Sequence, residues 1–386
     1  MPMPLCRLTR CDLPHASNEL FRRLNHCRVT KISRMTLVLL LLAASPLVPT
    51  ATPAEVGLTQ SQVDDALAEW KRRTGPTGIA RTAIIRRGRL VHAGPDAGIA
   101  SNLYSSTKSF TSTALGLLVE DGTVTLDTPA AKYVPVLREN YPGALLRHFT
   151  TMTSGYNAVG DSRWDRENSD WSWTPYAPAR TPHFAPGTAY AYWDEAQMML
   201  GRTLTIAAER DLLDLMTDRV LAPIGIERPK WQTEGTVEAG NATIDIRNGC
   251  TGLFLSAYEL ARYGQLFLQR GEWNGEQIIP ADWVATATSV QVDIRTPVGD
   301  TDRAGVDGRG CYGFNWWVNG CRPNGSLFMP DVPEGAFFSA GLKHNVCLVV
   351  PAWDLVIVRL GVDHNPPDGH AAVLNDVAAR LKPVAE

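Results

Sequence analysis

The alternation of hydrophobic and polar positions after residue 55 predicts a helix followed by a β-hairpin. Over 59–73 the apolar residues recur at three- and four-residue spacing, which is the pattern of an amphipathic helix. Apolar runs at 80–86 and 89–93 then flank Arg87-Gly88, a turn signal of the kind that joins two antiparallel strands. This part of the chain is therefore expected to be helix first and paired strands afterwards.

Further along the chain, the pattern is helical in the middle and returns to strands near the C-terminus. A helical run follows Ser105 and ends at Asp121-Gly122. Between about 123 and 310, helical segments alternate with long loops rich in Pro, Gly and Trp. The clearest helices there are Glu195–Ala208, Leu212–Leu221 and Ala257–Gln269. The C-terminal part carries the short apolar runs Gly313–Val318, Ala336–Ser339, Val346–Val350 and Leu355–Leu360, and then a helix over Gly369–Leu381.

This order of elements predicts the domain organisation. Strands at both ends with helices between them indicate an α/β fold in which one sheet is built from both ends of the chain. We expect residues 55–101 and 311–386 to form the sheet domain, and residues 102–310 to form a mostly helical domain with long cleft loops. A functional site would then lie between the two layers, where ligand sites often occur.

Residues 1–54 differ from the rest and are typical of a leader. The short apolar run Leu37–Ala44 follows three basic residues, and Thr52-Pro53-Ala54 offers small residues at a cleavage site. The run is too short to span a bilayer stably. We therefore expect a signal peptide at about 28–54 and an exported, periplasmic or extracellular protein. An uncleaved signal anchor is the alternative, and it would be the only membrane contact. Because residues 1–27 carry no structural pattern, we expect translation to start downstream of Met1.

Composition and charge limit the partners. The 386 residues are 44% hydrophobic and 20% charged, as in an ordinary globular chain. Residues 1–54 hold seven of the 37 basic and two of the 40 acidic residues, so the remainder carries a net charge of −8. That balance argues against nucleic acid or an anionic membrane as a main partner. A small-molecule partner is expected instead, and the pattern indicates no particular oligomeric state.

The cysteine and histidine positions argue against a metal centre. Beyond the leader the chain has Cys250, Cys311, Cys321 and Cys347, which allow three disulfide pairings, and none has metal-ligand spacing to a histidine. Structural cysteines or disulfides are the expected roles. The chain also has no glycine-rich phosphate loop, no Gly-x-Ser-x-Gly elbow and no His-Asp pair in a triad-like context. We therefore expect chemistry without a cofactor.

The first candidate for chemistry is a serine three residues before a lysine, Ser105 and Lys108, at the start of a predicted helix. Positions i and i+3 share a helix face, so the hydroxyl and the amine can meet. A serine hydroxyl attacks a carbonyl only when a base is within reach, and a desolvated lysine can be that base. The alternative is structural: Ser105 caps the helix and Lys108 is an ordinary surface residue.

Further segments follow this pair in order along the chain. They are Arg147–Gly155, Pro186–Asp194 with Tyr192 just before a helix, Gly249–Ser256, and Phe337–Gly341 at the end of a strand. Together these motifs resemble the serine β-lactamase and penicillin-binding-protein superfamily, on its class C-like esterase and amidase side. The likeness runs from about Gly57 to the C-terminus. It implies the β-lactamase-like fold, an antiparallel sheet flanked by helices with an inserted helical domain.

The resemblance also implies roles for individual residues. Ser105 matches the nucleophile and Lys108 its partner, and Tyr192 matches a tyrosine that serves as base and proton shuttle. Ser339-Ala340-Gly341 matches the strand whose backbone lines the substrate, and it would share the oxyanion site with the Ser105 N–H. Desolvation favours a neutral lysine, and a nearby cation favours a phenolate. Either Lys108 or Tyr192 can therefore be the base that removes the Ser105 proton.

Two positions depart from the family pattern. Asp194 stands where the family has an asparagine that contacts the substrate amide and the lysine; it either pairs with Lys108 or caps the helix that follows. Ser339 stands where the family has a lysine that binds the carboxylate of penicillins. Lys343 or His344 would replace that cation if it faced the cleft, although a solvated turn is the expected position of both. These departures favour an esterase or amidase over a β-lactamase or peptidase.

The sequence thus predicts an exported serine hydrolase that acts on an ester or amide through an acyl-enzyme at Ser105. A true β-lactamase or D-Ala peptidase is the alternative activity. A catalytically weak acyl-binding or sensor protein with the same fold is the alternative from another class. The long loop after Ser154-Gly155 contains Trp164, Trp171 and Trp173 and is called the aromatic loop here. Most of its aromatic side chains are expected to pack on the helical domain, with one or two, such as Trp173, facing the cleft.

Overall fold

A computed structural model describes residues 48–159, 174–299, 306–362, 366 and 368–383. Most of the predicted leader, and Trp173 in the aromatic loop, lie outside these residues. The described residues belong to one compact unit, and none of their helices is long and apolar enough to cross a membrane. The division into a sheet domain and a helical domain stays a prediction.

The helices that the sequence analysis predicted begin close to the expected positions, and two further short helices accompany them. They are α1 (Gln60–Thr74), α2 (Thr107–Glu120), α3 (Leu146–Thr150), α4 (Asp194–Ala208), α5 (Leu212–Met216), α6 (Ala257–Leu268), α7 (Ala281–Ala287) and α8 (Gly369–Arg380). Capping explains two of the starts, because the side chains of Thr59 and Ser256 accept hydrogen bonds from backbone N–H groups of α1 and α6. The predicted helix to Leu221 is α5 followed by one π-helical turn.

The main sheet takes its strands from both ends of the described chain. Its strands are β1 (Thr82–Arg86), β2 (Arg89–Ala93), β11 (Trp317–Val318), β12 (Phe337–Gly341), β13 (Asn345–Val350) and β14 (Leu355–Arg359). The other strands form four separate two-stranded sheets: β3 (Ser101–Asn102) with β8 (Phe254–Leu255), β4 (Ala158–Val159) with β5 (Thr174–Pro178), β6 (Thr233–Ala239) with β7 (Ala242–Arg247), and β9 (Glu272–Trp273) with β10 (Glu276–Gln277). The spatial order is β11-β12-β13-β14-β1-β2, and neighbouring strands run antiparallel. The predicted α/β fold with a sheet built from both ends is confirmed.

Both faces of the sheet are covered, which explains the uninterrupted apolar runs in its central strands. Every residue of β13 and β14 is buried, as expected for strands that pack on both sides. One face carries α1 and α8, with Trp70 and Leu374 in its core. The other face carries α6 and the residues of α2, with Phe110 and Tyr263 stacked in its core.

Alternation along β12 decides which of its side chains face the layer that contains Ser105. Phe338 and Ala340 belong to the core shared with α1 and α8. Phe337 belongs to the core on the opposite face, together with residues of α2 and α6. Because successive positions on a strand point to opposite faces, positions 339 and 341 share the face of Phe337. The strand thus presents Ser339 and Gly341 to the helical layer.

The strand predicted over Gly313–Val318 is shorter in the structure, where β11 comprises Trp317–Val318. Asn315 accounts for the difference. Its φ is +60°, and its side-chain amide donates hydrogen bonds to the Lys108 carbonyl at 3.1 Å and to Gln197 Oε1 at 2.8 Å. A residue held in the left-handed region by contacts with two helices interrupts an extended strand.

A hairpin that the sequence pattern did not predict lies within the mostly helical region. Strands β6 and β7 pair around Gly240-Asn241, with Val237 opposite Ile244. Four of the seven residues of β6 are exposed, so the apolar signal of the strand is weak. The Gly-Asn pair between alternating residues is nevertheless a recognised hairpin signal. This hairpin matters because it supplies residues to the cavity described below.

The four cysteines beyond the leader are free thiols in the structure. Cys250, Cys311 and Cys347 are buried, and Cys321 is exposed. Of the two expected roles, disulfides and unpaired structural cysteines, the structure shows the second.

Candidate active site

Ser105 lies on a single 3-10 turn, Tyr104–Ser106, immediately before α2. Asn102 fixes the turn, because its side-chain oxygen accepts a hydrogen bond from the Tyr104 backbone N–H at 2.9 Å. Tyr104 has a φ of +49°, a conformation that costs free energy in a residue other than glycine and that clusters at functional sites. The N-cap position of α2 belongs to Ser106. The interpretation of Ser105 as a helix cap is therefore wrong.

Lys108 projects from the first turn of α2 and meets Ser105. Its side chain is 2% exposed, and Nζ donates a hydrogen bond to Ser105 Oγ at 2.8 Å. Nζ also lies 2.8 Å from Asp194 Oδ1 and 4.9 Å from the centre of the Tyr192 ring, and it donates to the Cys250 carbonyl at 3.4 Å. The structure thus brings the predicted residues together around one amine, and the interpretation of Lys108 as a surface residue is wrong.

Two opposing effects act on the pKa of Lys108. Burial lowers it, because an ammonium ion loses its hydration in the interior. The charge of the Asp194 carboxylate raises it, and Tyr192 and Cys250 act in the same direction. The raising effects exceed the effect of burial, so the pKa of Lys108 lies above its ordinary value. The side chain is therefore an ammonium ion at neutral pH.

Asp194 is the first residue of α4, and its side chain is 14% exposed. Of the two roles that the sequence leaves open, pairing with Lys108 and capping the helix, the structure shows the ion pair. The N-cap position belongs to Trp193. A carboxylate in the first turn of a helix is also favoured by the helix dipole. The aspartate at this position therefore forms a buried ion pair with Lys108.

Tyr192 belongs to a cluster of aromatic side chains beside β11. Its ring stacks on Trp317 with centres 5.9 Å apart and meets Tyr312 edge-on at 6.2 Å. Tyr190 packs against Tyr312 in turn. Burial raises the pKa of Tyr190 and of Tyr312 well above the ordinary value. These two neighbours therefore stay neutral phenols and serve to position Tyr192.

The edge of β12 faces Ser105. Strand β11 pairs only with the first two residues of β12, so among the described residues the edge over Ser339–Gly341 has no strand on that side. A methyl group placed on Gly341 would lie 2.1 Å from the Leu103 carbonyl oxygen and 3.0 Å from the Ser105 backbone nitrogen. Only glycine allows this close approach. The Ser105 amide and the free edge of β12 therefore border the same space, as an oxyanion site requires.

The other predicted residues of this strand differ in what they offer a ligand. Ser339 is 2% exposed, and its hydroxyl has no hydrogen-bond partner among the described residues. Ala340 directs its methyl group into the core on the opposite face, so only its backbone is available. Where the resembling family has a lysine, the site has an uncharged hydroxyl.

His344 is not a cleft residue, and it does not lie in a solvated turn. It is fully buried, accepts a hydrogen bond from Trp70 Nε1 at 3.1 Å, and lies with Nδ1 2.9 Å from His370 Nδ1. Both expectations for it are wrong because α1 and α8 cover it from the face of the sheet that is opposite Ser105. Lys343 is half-buried, with its amine 5.9 Å from the centre of the Tyr104 ring.

A cavity of about 550 Å³ opens beside Ser105 and Asp194, a volume typical of small-molecule sites. The sequence analysis did not single out the polar residues that also line it, Asn102, Gln232, Glu234, Asn248 and Thr251. Three of them belong to the β6–β7 hairpin or its flanks. The Gly240-Asn241 turn signal could have revealed that hairpin. No local pattern in the sequence indicates that the hairpin lies beside Ser105.

Cys250 lines the same cavity, and its thiol is held in the protonated form. Burial raises the pKa of its thiol, and the Asp194 carboxylate adds to that effect. The thiolate is the nucleophilic form of cysteine, so a thiol kept protonated is inert. The described residues also contain no group of three or more His, Cys, Asp or Glu side chains that could hold a metal ion.

Comparison with known proteins identifies the family behind this geometry. A family model described as β-lactamase matches residues 65–380. This chain belongs to the β-lactamase family. The matched range includes Ser105, Lys108, Tyr192 and Asp194, and it extends past Gly341. The resemblance to serine β-lactamases and penicillin-binding proteins is thereby confirmed.

Solved structures of this family share the fold. A family VIII carboxylesterase is similar with a TM-score of 0.63, covering 87% of this chain and 99% of its own at 16% identity. A penicillin-binding protein homologue from Caulobacter crescentus gives a TM-score of 0.61, covering 84% and 97% at 15% identity. A protein of Alkalihalophilus pseudofirmus named as uncharacterized is 24% identical over 279 residues, 69% of this chain and 75% of the relative. The structural likenesses establish the β-lactamase fold alone.

Proposed function

We propose that this protein is a serine hydrolase that cleaves an ester or amide through an acyl-enzyme on Ser105. The observation that carries the proposal is the buried contact of Lys108 Nζ with Ser105 Oγ, with Asp194 bound to the same amine. A serine with a buried lysine and a tyrosine beside it forms a nucleophile that needs no histidine. The carboxylesterase among the structural neighbours supports the same class of reaction.

Lys108 and Tyr192 divide the proton transfer between them. Because the pKa of Lys108 is raised, its ammonium ion has no free electron pair and cannot accept the Ser105 proton. Its hydrogen bond to Oγ instead stabilises the negative charge that develops on that oxygen. Tyr192 acts as the base in its phenolate form: the phenolate oxygen takes the Ser105 proton, and the resulting phenol gives it to the leaving group. The Lys108 charge, 4.9 Å from the centre of the ring, attracts the negative charge of this phenolate.

The bonds change in two stages. Ser105 Oγ bonds to the substrate carbonyl carbon while its proton moves to Tyr192, and the carbonyl oxygen becomes an oxyanion beside the Ser105 N–H and the free edge of β12. The bond to the leaving alcohol or amine breaks as Tyr192 protonates it. Water then attacks the acyl-enzyme by the same route, which releases the acid and restores Ser105.

An ester or amide without a carboxylate suits this site better than a β-lactam or a D-Ala peptide. Ser339 supplies a hydroxyl where a cation would be needed for such a carboxylate, and Asp194 places a negative charge close to the nucleophile. We therefore rank β-lactamase or D-Ala peptidase activity second. A kcat/KM for the chromogenic cephalosporin nitrocefin above that for a simple p-nitrophenyl ester would reverse this order.

Rapid mixing of a protein that comprises residues 48–386 with p-nitrophenyl acetate tests the proposed reaction. The wild type is expected to release a burst of p-nitrophenol equal to the enzyme concentration and then to turn over steadily, and Ser105→Ala is expected to do neither. Ser106→Ala is the matched control, since Ser106 Oγ donates to the Asn345 carbonyl at 3.1 Å and does not line the cavity. Hydrolysis by folded Ser105→Ala would refute the nucleophile. A burst without turnover in the wild type would favour the acyl-binding protein.

We also propose that residues 28–54 direct export. The basic residues before the apolar run Leu37–Ala44 support this role. Expression of the full chain, fractionation and N-terminal sequencing test it, and a protein that starts near residue 55 outside the cytoplasm is expected. The uncut chain in the membrane fraction would support the signal anchor, and the uncut chain in the cytoplasm would contradict export.

A further inference from the structure

The oxyanion site of the proposed reaction is formed by two segments that lie far apart in the sequence. One is the turn that carries the Ser105 N–H group, and the other is the edge of β12 that ends at Gly341. Donors stabilise an oxyanion only when each lies about 2.7–3.1 Å from the same oxygen atom. A displacement of about 1 Å can lower the rate about a hundredfold. The contacts that hold the two segments together therefore matter for the rate.

Each segment has a backbone conformation that its own residue types do not favour. Tyr104, directly before Ser105, has a φ of +49°. In the turn that follows β12, Lys343 and His344 have φ values of +61° and +55°. Left-handed conformations cost free energy in residues other than glycine, and they persist only where the surrounding structure enforces them. Contacts from other parts of the fold must therefore fix both segments.

The side chain of Asn345 joins the two segments. Asn345 is fully buried and is the first residue of β13, where it pairs with Gly341 of β12. Its Nδ2 atom donates a hydrogen bond to the backbone carbonyl of Asn102 at 3.0 Å. The side chain of Asn102 in turn accepts the hydrogen bond from the Tyr104 N–H group. One amide group thus connects the end of β12 to the turn that carries Ser105.

The orientation of this amide is fixed by the contact at its other end. Asn345 Oδ1 accepts a hydrogen bond from the Gly361 backbone N–H at 2.6 Å. A backbone N–H can only donate and a backbone carbonyl can only accept, so the oxygen must face Gly361 and the nitrogen must face Asn102. The Asn345 backbone carbonyl also accepts a hydrogen bond, from Ser106, but a backbone acceptor is present whichever residue occupies position 345. Variants at this position therefore isolate the contribution of the side chain.

A second buried side chain, that of Arg359, fixes the shape of the turn after β12. Arg359 Nη1 donates hydrogen bonds to the backbone carbonyls of Lys343 at 2.9 Å and His344 at 3.2 Å. These contacts stabilise the two left-handed residues of the turn. Arg359 therefore maintains the turn itself, and Asn345 connects the neighbouring strand to the segment of Ser105.

We propose that Asn345 is a positioning residue for the oxyanion site: its hydrogen bond to the Asn102 carbonyl holds the Ser105 N–H and the edge of β12 at the spacing that one oxyanion requires. This inference rests on the function proposed above, because it concerns the transition state of that reaction. Asn345 is fully buried, so it acts through the two segments and not on the substrate. Its loss should weaken binding of the transition state more than binding of the substrate.

Rapid mixing with p-nitrophenyl heptanoate tests the proposal, because the burst separates the acylation rate constant from the binding of the ester. Asn345→Asp keeps the size of the side chain and the acceptor for Gly361, and it removes the donor to Asn102. Its acylation rate constant should fall roughly tenfold to a hundredfold. The ester concentration that half-saturates the burst rate should change less than about twofold. Asn345→Ala should show the same pattern without a buried carboxylate.

Inhibition by hexylboronic acid gives a readout that a merely structural role would not move. Ser105 Oγ bonds to the boron atom and gives its proton to Tyr192, and the tetrahedral adduct places an oxygen atom in the oxyanion site as the transition state does. In both Asn345 variants the inhibition constant should rise by the same factor by which the acylation rate constant falls.

Asn375→Asp is the matched control. Asn375 is also buried, and its amide accepts from the Asp331 backbone N–H and donates to the Asp331 carboxylate, both at 2.8 Å. It lies on α8, which packs on the face of the sheet opposite Ser105. This variant should lose stability in urea denaturation while its acylation rate constant and inhibition constant keep the wild-type values. The same denaturation curves show whether each variant is folded in the assay.

The two proposals fail in different ways. A wild-type acylation rate constant in both Asn345 variants, or a lower rate constant without a matching rise in the inhibition constant, would overturn the role of Asn345 and leave the proposed function in place. Failure of both variants to fold would also overturn that role, because Asn345 would then be needed for the fold itself. The absence of any Ser105-dependent burst in the wild type would overturn the proposed function.

Discussion

Two buried clusters of ionisable side chains lie on opposite faces of the sheet, and burial has different consequences in each. Lys108 meets the carboxylate of Asp194, and its pKa is raised. His344 and His370 meet each other and the ring N–H of Trp70. Burial lowers the pKa of His344 well below its ordinary value and that of His370 to about 4. Burial favours the neutral form in both places, so the buried counter-charge is what keeps the lysine an ammonium ion.

This difference in charge distinguishes the histidine cluster, which is structural, from the Lys108 cluster, which is suited to chemistry. Trp70 Nε1 donates to His344 Nε2, so neutral His344 carries its proton on Nδ1 and donates it to His370 Nδ1. The three rings form one neutral hydrogen-bonded chain inside the core. At Ser105 an ion pair is buried instead, and the hydroxyl that it contacts opens onto a cavity.

The largest effect is expected on activity when the charged amine is removed. Lys108→Met should lower kcat/KM for a p-nitrophenyl ester by about 10²–10⁴-fold, because the stabilisation of charge on Ser105 Oγ during proton transfer is lost. Lys71→Met on the exposed side of α1 is the control and should behave like the wild type. A Lys108→Met enzyme within a few-fold of the wild type would show that the amine has only a structural role.

Removal of the counter-charge should act mainly on stability. Asp194→Ala leaves the Lys108 ammonium ion buried without its partner and should lower the free energy of unfolding by about 3 kcal/mol, as measured by urea denaturation. Replacing both partners, Lys108→Met with Asp194→Leu, should recover most of that loss while activity stays low. Full stability in the single Asp194→Ala variant would contradict a charged buried lysine.

The histidine cluster, unlike the lysine, should stabilise the protein only while its side chains are uncharged. An unfolded histidine binds a proton near pH 6.5, whereas His370 in the folded protein does so near pH 4. Between these values the unfolded state binds more protons, so stability is full above pH 6.5 and falls as the pH is lowered toward 4. His370 accounts for up to about 3 kcal/mol of that fall. His370→Gln should flatten this part of a series of urea denaturations, and an unchanged slope would rule out the neutral pair.

The smallest change in the free energy of unfolding is expected when an exposed ion pair with a similar N–O distance is broken. Arg228 and Asp214 are 2.7 Å apart, with side chains 52% and 47% exposed. Asp214→Ala should therefore cost less than about 1 kcal/mol in free energy of unfolding. A loss as large as that expected for Asp194→Ala would mean that burial is not what distinguishes the Lys108 pair.

The residues around Lys108 could be predicted because each carries a local signal. Ser105 and Lys108 are separated by one helical turn, Tyr192 and Asp194 lie at the start of a helix, and Gly341 ends a strand where a side chain would collide with the backbone near Ser105. Spacing alone joined Ser105 to Lys108, and the resemblance of the short motifs to a known family joined the other residues to this pair. The α/β fold followed from the order of strands and helices for the same reason.

Glu234 and His344 could not be placed because their neighbours are distant in the sequence or their local signal is weak. His344 contacts Trp70, 274 residues away, and His370 on α8; a turn with two basic residues gives no sign of this burial. Glu234 lies on a mostly exposed strand, and its place beside Ser105 depends on how the hairpin packs. The positions of Glu234 and His344 both depend on tertiary packing, which leaves no periodic pattern in the sequence.

The most direct measurement is the position of the acyl group during turnover. The protein would be mixed with p-nitrophenyl heptanoate, quenched in acid within milliseconds, digested, and analysed by mass spectrometry. We predict a heptanoyl group on the peptide that contains Ser105 and none on that peptide in Ser105→Ala. A heptanoyl group on another residue such as Cys250, or steady hydrolysis with no acylated peptide, would contradict the acyl-enzyme at Ser105.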